Sequence, residues 1–95
     1  MRILISNDDG VFAPGLGTLA RALAATGEHE VYVVAPDRQR SATGHSVTLH
    51  KPLRVEAVEL DAGVKAAWST TGTPSDCVKL AVKQLLPQPP DVIIS

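Results

Sequence analysis

Two aspartates stand side by side at Asp8 and Asp9, inside the tetrapeptide Asn7-Asp8-Asp9-Gly10. Adjacent carboxylates repel each other unless a cation shares the site. A loop, unlike a regular strand, can turn both toward one point. Oxygen-only ligands favour a hard divalent ion such as Mg²⁺ or Mn²⁺, with water and a substrate phosphate in the open positions. Asn, Asp and Gly are also ordinary turn formers, so the tetrapeptide by itself leaves both readings open.

Two further segments carry candidate chemistry. Pro36 to Ser46 (PDRQRSATGHS) holds small hydroxyl residues, a glycine and several cations. Ser41 offers a neutral oxygen to an ion, while Gly44 and His45 can approach a phosphate; each is equally at home in a surface loop. Arg38, Arg40, His45, His50, Lys51 and Arg54 form a stretch without a single acid, able to receive an anion or simply to face water. The third segment, Thr70 to Asp76 (TTGTPSD), opens a helix, where free backbone N–H groups favour anions. Capping alone accounts for Thr73, Pro74 and Asp76, and leaves Thr71 and Gly72 over.

The elements that must position these segments are legible from the apolar runs. Arg2 to Ser6 (RILIS) reads as a buried strand, and Asn7 to Pro14 as a loop. A helix follows, with Leu16, Leu19, Ala20, Leu23 and Ala24 on one face, Pro14 at its start and Gly27 at its stop. Glu30 to Ala35 (EVYVVA) is a second buried strand, completing a right-handed βαβ unit with parallel strands. Val47 to Leu60 looks extended, but Pro52 favours a sheet edge or a hairpin arm. Ala66 to Thr70 suits another strand. Thr73 caps a second helix, lined by Cys77, Leu80, Ala81 and Leu85 and stopped by Pro87-Gln88-Pro89-Pro90. Asp91 to Ser95 (DVIIS) opens a further buried strand, which should be covered on both faces, so the 95 residues read as part of a larger α/β domain.

Bulk properties narrow the function classes. A chain of 95 residues is one domain or less. A formal charge of −1 gives no general attraction to nucleic acid or an anionic membrane. The single Cys77 excludes an internal disulfide and suits a reducing compartment. No apolar stretch is long enough to cross a bilayer, and the N-terminal run stops at Asn7 without the pattern of a signal peptide. The cytoplasm is the expected location.

The stretches RILISNDDGVFAPG, VVAPDRQRSATGHSVTL and STTGTPSDCVKLA, in this order and at these separations, resemble the SurE family across essentially the whole chain. The resemblance implies a Rossmann-like, three-layer α/β domain with a mainly parallel sheet, of which residues 1–95 are the N-terminal part. It implies a metal-dependent phosphomonoesterase that hydrolyses nucleoside 5′- and 3′-monophosphates, with some members trimming short polyphosphates. Asp8, Asp9 and Ser41 are the implied ligands of a divalent metal; from the residues themselves, Asp8 and Asp9 are read as the catalytic pair, and Asn7, Gly44 and His45 as the phosphate contacts. A further ligand, an asparagine, is implied in a loop just beyond Ser95, so weak metal binding is expected from these residues alone. A homo-oligomer, dimer or tetramer, is implied for the full-length protein.

Two rival readings come from the same residues. Gly15-x-Gly17-x-x-Ala20 fits the dinucleotide fingerprint, with Asp37 about twenty residues on, as in an NAD-binding half-domain. Position argues against it, because the first glycine should follow the strand directly and Asn7 to Pro14 intervene. The other rival is an inactive piece of the nucleotidase. Adjacent aspartates lack the D-x-D of phosphoaspartyl enzymes, and no G-x-S-x-G elbow is present for a serine hydrolase. Cys77 falls on the apolar stripe and is expected to pack rather than react.

Overall fold

A computed structural model describes residues 1–37, 54–60 and 63–94. Its element order is β1 (Arg2–Ile5), α1 (Pro14–Ala24), β2 (Glu30–Pro36), β3 (Val55–Ala57), β4 (Ala66–Thr70), α2 (Pro74–Leu80) and β5 (Val92–Ile94). The five strands form one sheet in the order β3-β4-β2-β1-β5. β1 pairs in parallel with both β2 and β5, and β2 in parallel with β4. β3 is antiparallel to β4 at the edge, as Val55 to Ala57 beyond a proline should be. The part of that extended segment from Val47 to Leu53 lies outside the described residues.

Alternation along the strands sorts the core into two layers. Ile3, Ile5, Val31, Val33, Ala35 and Ala67 face α1, where Leu16 and Ala20 are buried against them and Leu23 and Ala24 partly so. Leu4, Tyr32 and Val34 face the other way and pack on Cys77, Ala81 and Leu86. Apolar residues on both faces explain why β1 and β2 read as unbroken hydrophobic runs. The expected mainly parallel α/β architecture is present, with helices on both faces.

Local differences from the sequence expectation have identifiable causes. Leu19 is exposed, because it lies on the flank of the stripe that Leu16, Ala20, Leu23 and Ala24 turn to the sheet. α1 starts at Pro14 with no side-chain cap from Ala13, and the chain leaves it through Gly27 at φ 73°. After Leu80 the second helix widens into a π turn over Ala81–Leu85, closed by Leu86 N–H donating to Ala81 O at 3.0 Å. The extra residue in that turn shifts the helical phase. Cys77 and Ala81 are fully buried as expected, but Leu86 enters the core cluster and Leu80 does not.

Candidate functional site

The chain order gives the sheet a point of reversal. From β1 it steps outward to β2 and β4, then returns to place β5 on the opposite side of β1. In open α/β sheets the crevice at the carboxyl ends of the strands, where the direction reverses, is where ligands bind. Here that crevice lies between β1 and β5, and Asn7 to Gly10 emerge directly at it.

This loop is held from several sides. Ser6 N–H donates to Ile94 O at 2.9 Å, carrying the β1–β5 pairing up to the loop. Asn7 Oδ1 accepts from Gly10 N–H at 3.2 Å, and Asn7 Nδ2 donates to Gly10 O at 3.1 Å. Gly10 O also accepts from Ala13 N–H at 3.1 Å, and Val11 N–H donates to Pro36 O at 2.8 Å, tying the loop to the end of β2. Gly10 adopts φ 113°, a backbone conformation that L side chains rarely enter. Val11 is fully buried in the core beneath.

At the apex, Asp8 and Asp9 are both exposed. Among the described residues neither carboxylate has a hydrogen bond or an ion pair. Their exposure means that water tolerates both charges, so mutual repulsion alone does not require a bound cation. What the arrangement offers is a pair of anionic oxygen donors, unoccupied by any described residue, at the reversal crevice. Nearby, Ser6 Oγ is buried and has no hydrogen-bond partner among the described residues. Among the described residues no group of three or more His, Cys, Asp or Glu converges on one point. Among the described residues, then, a metal held here would have two carboxylates to rest on, with neutral oxygens able to complete its shell, as they readily do for Mg²⁺ and Mn²⁺.

The second candidate segment begins at the same edge. Asp37 follows β2, and its N–H donates to Thr70 O at 2.7 Å. Ser41, Gly44 and His45, with Arg38 and Arg40, lie outside the described residues.

The third segment is accounted for by the fold. Thr73 Oγ1 accepts from Asp76 N–H and Asp76 Oδ2 accepts from Thr73 N–H, both at 3.2 Å, a complete capping box. The residues that capping left over also have structural partners. Thr71 Oγ1 accepts from Arg54 N–H at 3.0 Å, joining the entry of β3 to the exit of β4. Gly72 N–H donates to the buried Thr70 Oγ1 at 3.0 Å, and that hydroxyl lies 3.0 Å from Cys77 Sγ. Cys77 is fully buried in the core, consistent with packing. Gly15 and Gly17 fall inside α1 rather than in the turn that follows β1, which removes the geometry a dinucleotide fingerprint needs.

A family model described as survival protein SurE matches residues 3–95. The chain belongs to the SurE family. It is 61% identical to a protein named 5′-nucleotidase SurE from Synechococcus elongatus, over all of this chain and 37% of that protein. A 5′-nucleotidase SurE from Desulforudis audaxviator is 57% identical, again over the whole chain and 37% of the relative. The chain thus spans little more than a third of the length of these SurE relatives. Among solved structures, the SurE protein from Aquifex aeolicus superposes with a TM-score of 0.69 at 37% identity, covering 98% of this chain and 36% of that one. The likeness extends the Rossmann-like α/β assignment to the level of the SurE fold.

Proposed function

We propose that this chain supplies the first part of a nucleotidase site, hydrolysing nucleoside 5′- and 3′-monophosphates to nucleoside and phosphate. The observation that carries the reading is the Asp8–Asp9 pair, displayed without a partner among the described residues at the reversal crevice of a SurE-family sheet. Relatives named 5′-nucleotidase SurE support the reaction class.

Asp8 and Asp9 would hold a divalent metal, Mg²⁺ or Mn²⁺, with Ser41 as a neutral ligand from the second segment. When bound, such an ion polarises the phosphoryl group and makes a coordinated water more acidic. The chain's own residues do the rest. The two carboxylates offset the ion's two charges, so a phosphate dianion meets little net field of either sign. Asp8, exposed and without a hydrogen bond among the described residues, is the first choice to accept the proton of the attacking water. Asn7, Gly44 and His45 are assigned to the phosphate side, and Arg38 and Arg40 to attraction of the substrate anion. A cytoplasmic location and assembly of the complete protein into a homo-oligomer belong to the same reading. No helix among the described residues is long and apolar enough to cross a membrane.

The test is phosphate release from nucleoside monophosphates by the intact protein with Mn²⁺, compared with Asp8→Asn and with chelator. Because Asp8 is exposed and has no partner among the described residues, the substitution should change stability by no more than about 0.5 kcal/mol. Turnover should nevertheless fall on the order of a hundredfold or more, the scale of losing a charge-stabilising group. Undiminished turnover in either arm would defeat the proposal. Tight NADH binding without a metal requirement would restore the dinucleotide reading.

A further inference from the structure

Asn7 touches both ends of one residue's backbone. Its Oδ1 accepts from Gly10 N–H at 3.2 Å and its Nδ2 donates to Gly10 O at 3.1 Å. The side chain is part-buried, and the residues it bridges are the two that flank Asp8 and Asp9. The backbone ties, Val11 N–H to Pro36 O and Ala13 N–H to Gly10 O, fix the chain from Gly10 onward and leave the apex itself to the amide. Without that amide, Asp8 and Asp9 would hang on a four-residue arc whose backbone is restrained where it joins β1 and where it enters the core at Val11.

We infer that Asn7 is a positioning residue, whose side-chain amide clamps Gly10 and so sets the direction of the Asp8 and Asp9 carboxylates. This rests on the nucleotidase reading above and departs from it in one respect. Asn7 acts on the ligating carboxylates through the backbone rather than by touching the phosphate. The chemistry asks for it. A divalent cation gains most from two carboxylates whose separation is already set, because ordering a mobile arc on binding subtracts from affinity. Loss of groups that hold metal ligands in place commonly costs tenfold to a hundredfold in metal affinity or activity. The clamp also explains why an asparagine suits position 7. The site needs a donor and an acceptor on one short planar group, which Asn supplies and Asp, Ser or Ala does not.

The test is a graded series, Asn7→Ser and Asn7→Ala, on the intact protein, with three readouts. Serine retains an acceptor for an N–H three residues on but loses the planar amide donor, so it should fall between the parent and alanine. Hydrogen exchange of the Gly10 amide should accelerate in the order Asn, Ser, Ala. Mn²⁺ affinity measured by calorimetry without substrate should weaken in the same order, by roughly tenfold to a hundredfold for Asn7→Ala. At saturating Mn²⁺ the loss should appear mainly in kcat. Unchanged Gly10 exchange in Asn7→Ala would show that no clamp exists and overturn the inference. Faster exchange with unaltered Mn²⁺ affinity, and a raised KM or weaker inhibition by inorganic phosphate, would mark Asn7 as a phosphate contact and overturn it equally. Parent protein that binds no Mn²⁺ would sink the metal reading, and the positioning role with it, while the exchange data still reported the loop. Far-UV circular dichroism of each variant confirms the fold, and Asn7→Ser carries the comparison should Asn7→Ala fail to fold.

Discussion

Gly10→Ala puts the geometry of the acidic loop under direct strain. Gly10 sits at φ 113°, where an L residue costs about 1–3 kcal/mol. The loop can relieve that strain by changing shape, or keep its shape and lose stability. Four hydrogen bonds oppose relaxation: two between the Asn7 amide and Gly10, one from Ala13 N–H to Gly10 O, and one from Val11 N–H to Pro36 O. At about 1 kcal/mol each they together outweigh the strain, so the loop should hold. The cost then appears as global destabilisation of about 1–3 kcal/mol. At ~2–8 °C per kcal/mol, the smaller figure applying to the larger domain, Tm should fall by at least about 2 °C. Thermal melts and denaturant titrations measure this, with the denaturant slope unchanged and only the midpoint lowered. Mn²⁺ affinity should stay within about threefold of the parent, since half a log unit is less than 1 kcal/mol. Gly17→Ala supplies the control of opposite sign. Gly17 lies within α1, and an added Cβ there meets nothing within 4 Å, so alanine should stabilise by up to about 1 kcal/mol. A neutral or stabilising Gly10→Ala would refute the reasoning, as would a large loss of metal affinity at unchanged stability.

Two further outcomes test the frame around the site. Thr73→Ala removes the acceptor for Asp76 N–H at the start of α2 and should lower the unfolding free energy by about 1 kcal/mol, read from the denaturant midpoint; a change below about 0.3 kcal/mol would show that the box is idle. Cys77 should resist thiol reagents in the native protein and react only as it unfolds, because its side chain is fully enclosed beside Thr70; labelling at the rate of a free thiol would contradict that packing.

The strands and helices were legible because the physics that forms them is local. Unbroken apolar runs at Ile3–Ile5 and Val31–Ala35 declare strands covered on both faces, and Thr73-Pro74-Ser75-Asp76 declares a helix start. Phase within a helix is less local. Nothing in Ala81 to Leu85 announces the π turn that precedes the buried Leu86, and Leu80, ahead of that turn, lies on the flank of the face that Cys77 and Ala81 bury. The site divides in the same way. Placement of Asp8 and Asp9 beyond β1 follows from the strand boundary, whereas the bond from Arg54 to Thr71 spans 17 residues and cannot be read from either neighbourhood. Asn7 stands out as a site residue by its position. Its attachment to Gly10, three residues on, was within reach of the sequence, since Asn commonly bonds backbone a few residues ahead and Gly supplies the conformation that lets it. Ser41, Gly44 and His45 stand outside the described residues, so the metal role of Ser41 rests on the family resemblance and the phosphate roles of Gly44 and His45 on their residue types.

The case for Asp8 and Asp9 is strongest when the carboxyl edge of the sheet is taken as a whole. Polar side chains at such an edge are expected, since loops must satisfy backbone groups that the strands no longer pair. Asn7 satisfies Gly10, Thr70 satisfies Gly72, Thr71 satisfies Arg54, and Thr73 with Asp76 satisfies the start of α2. Capping and turn formation, the ordinary explanations for such residues, are thus used up on these five. Among the described residues Asp8 and Asp9 carry no such duty, and they sit where the strand order reverses. Two unit charges about 4 Å apart repel by only about 1 kcal/mol in bulk water. The fold can therefore carry both carboxylates without an ion to hold it together. That separates the roles: the hydrogen bonds around Gly10 keep the loop in shape, and the carboxylates are left available for a ligand. A structural cation would instead be enclosed by the residues it stabilises, whereas this pair is presented to solvent at the mouth of the crevice.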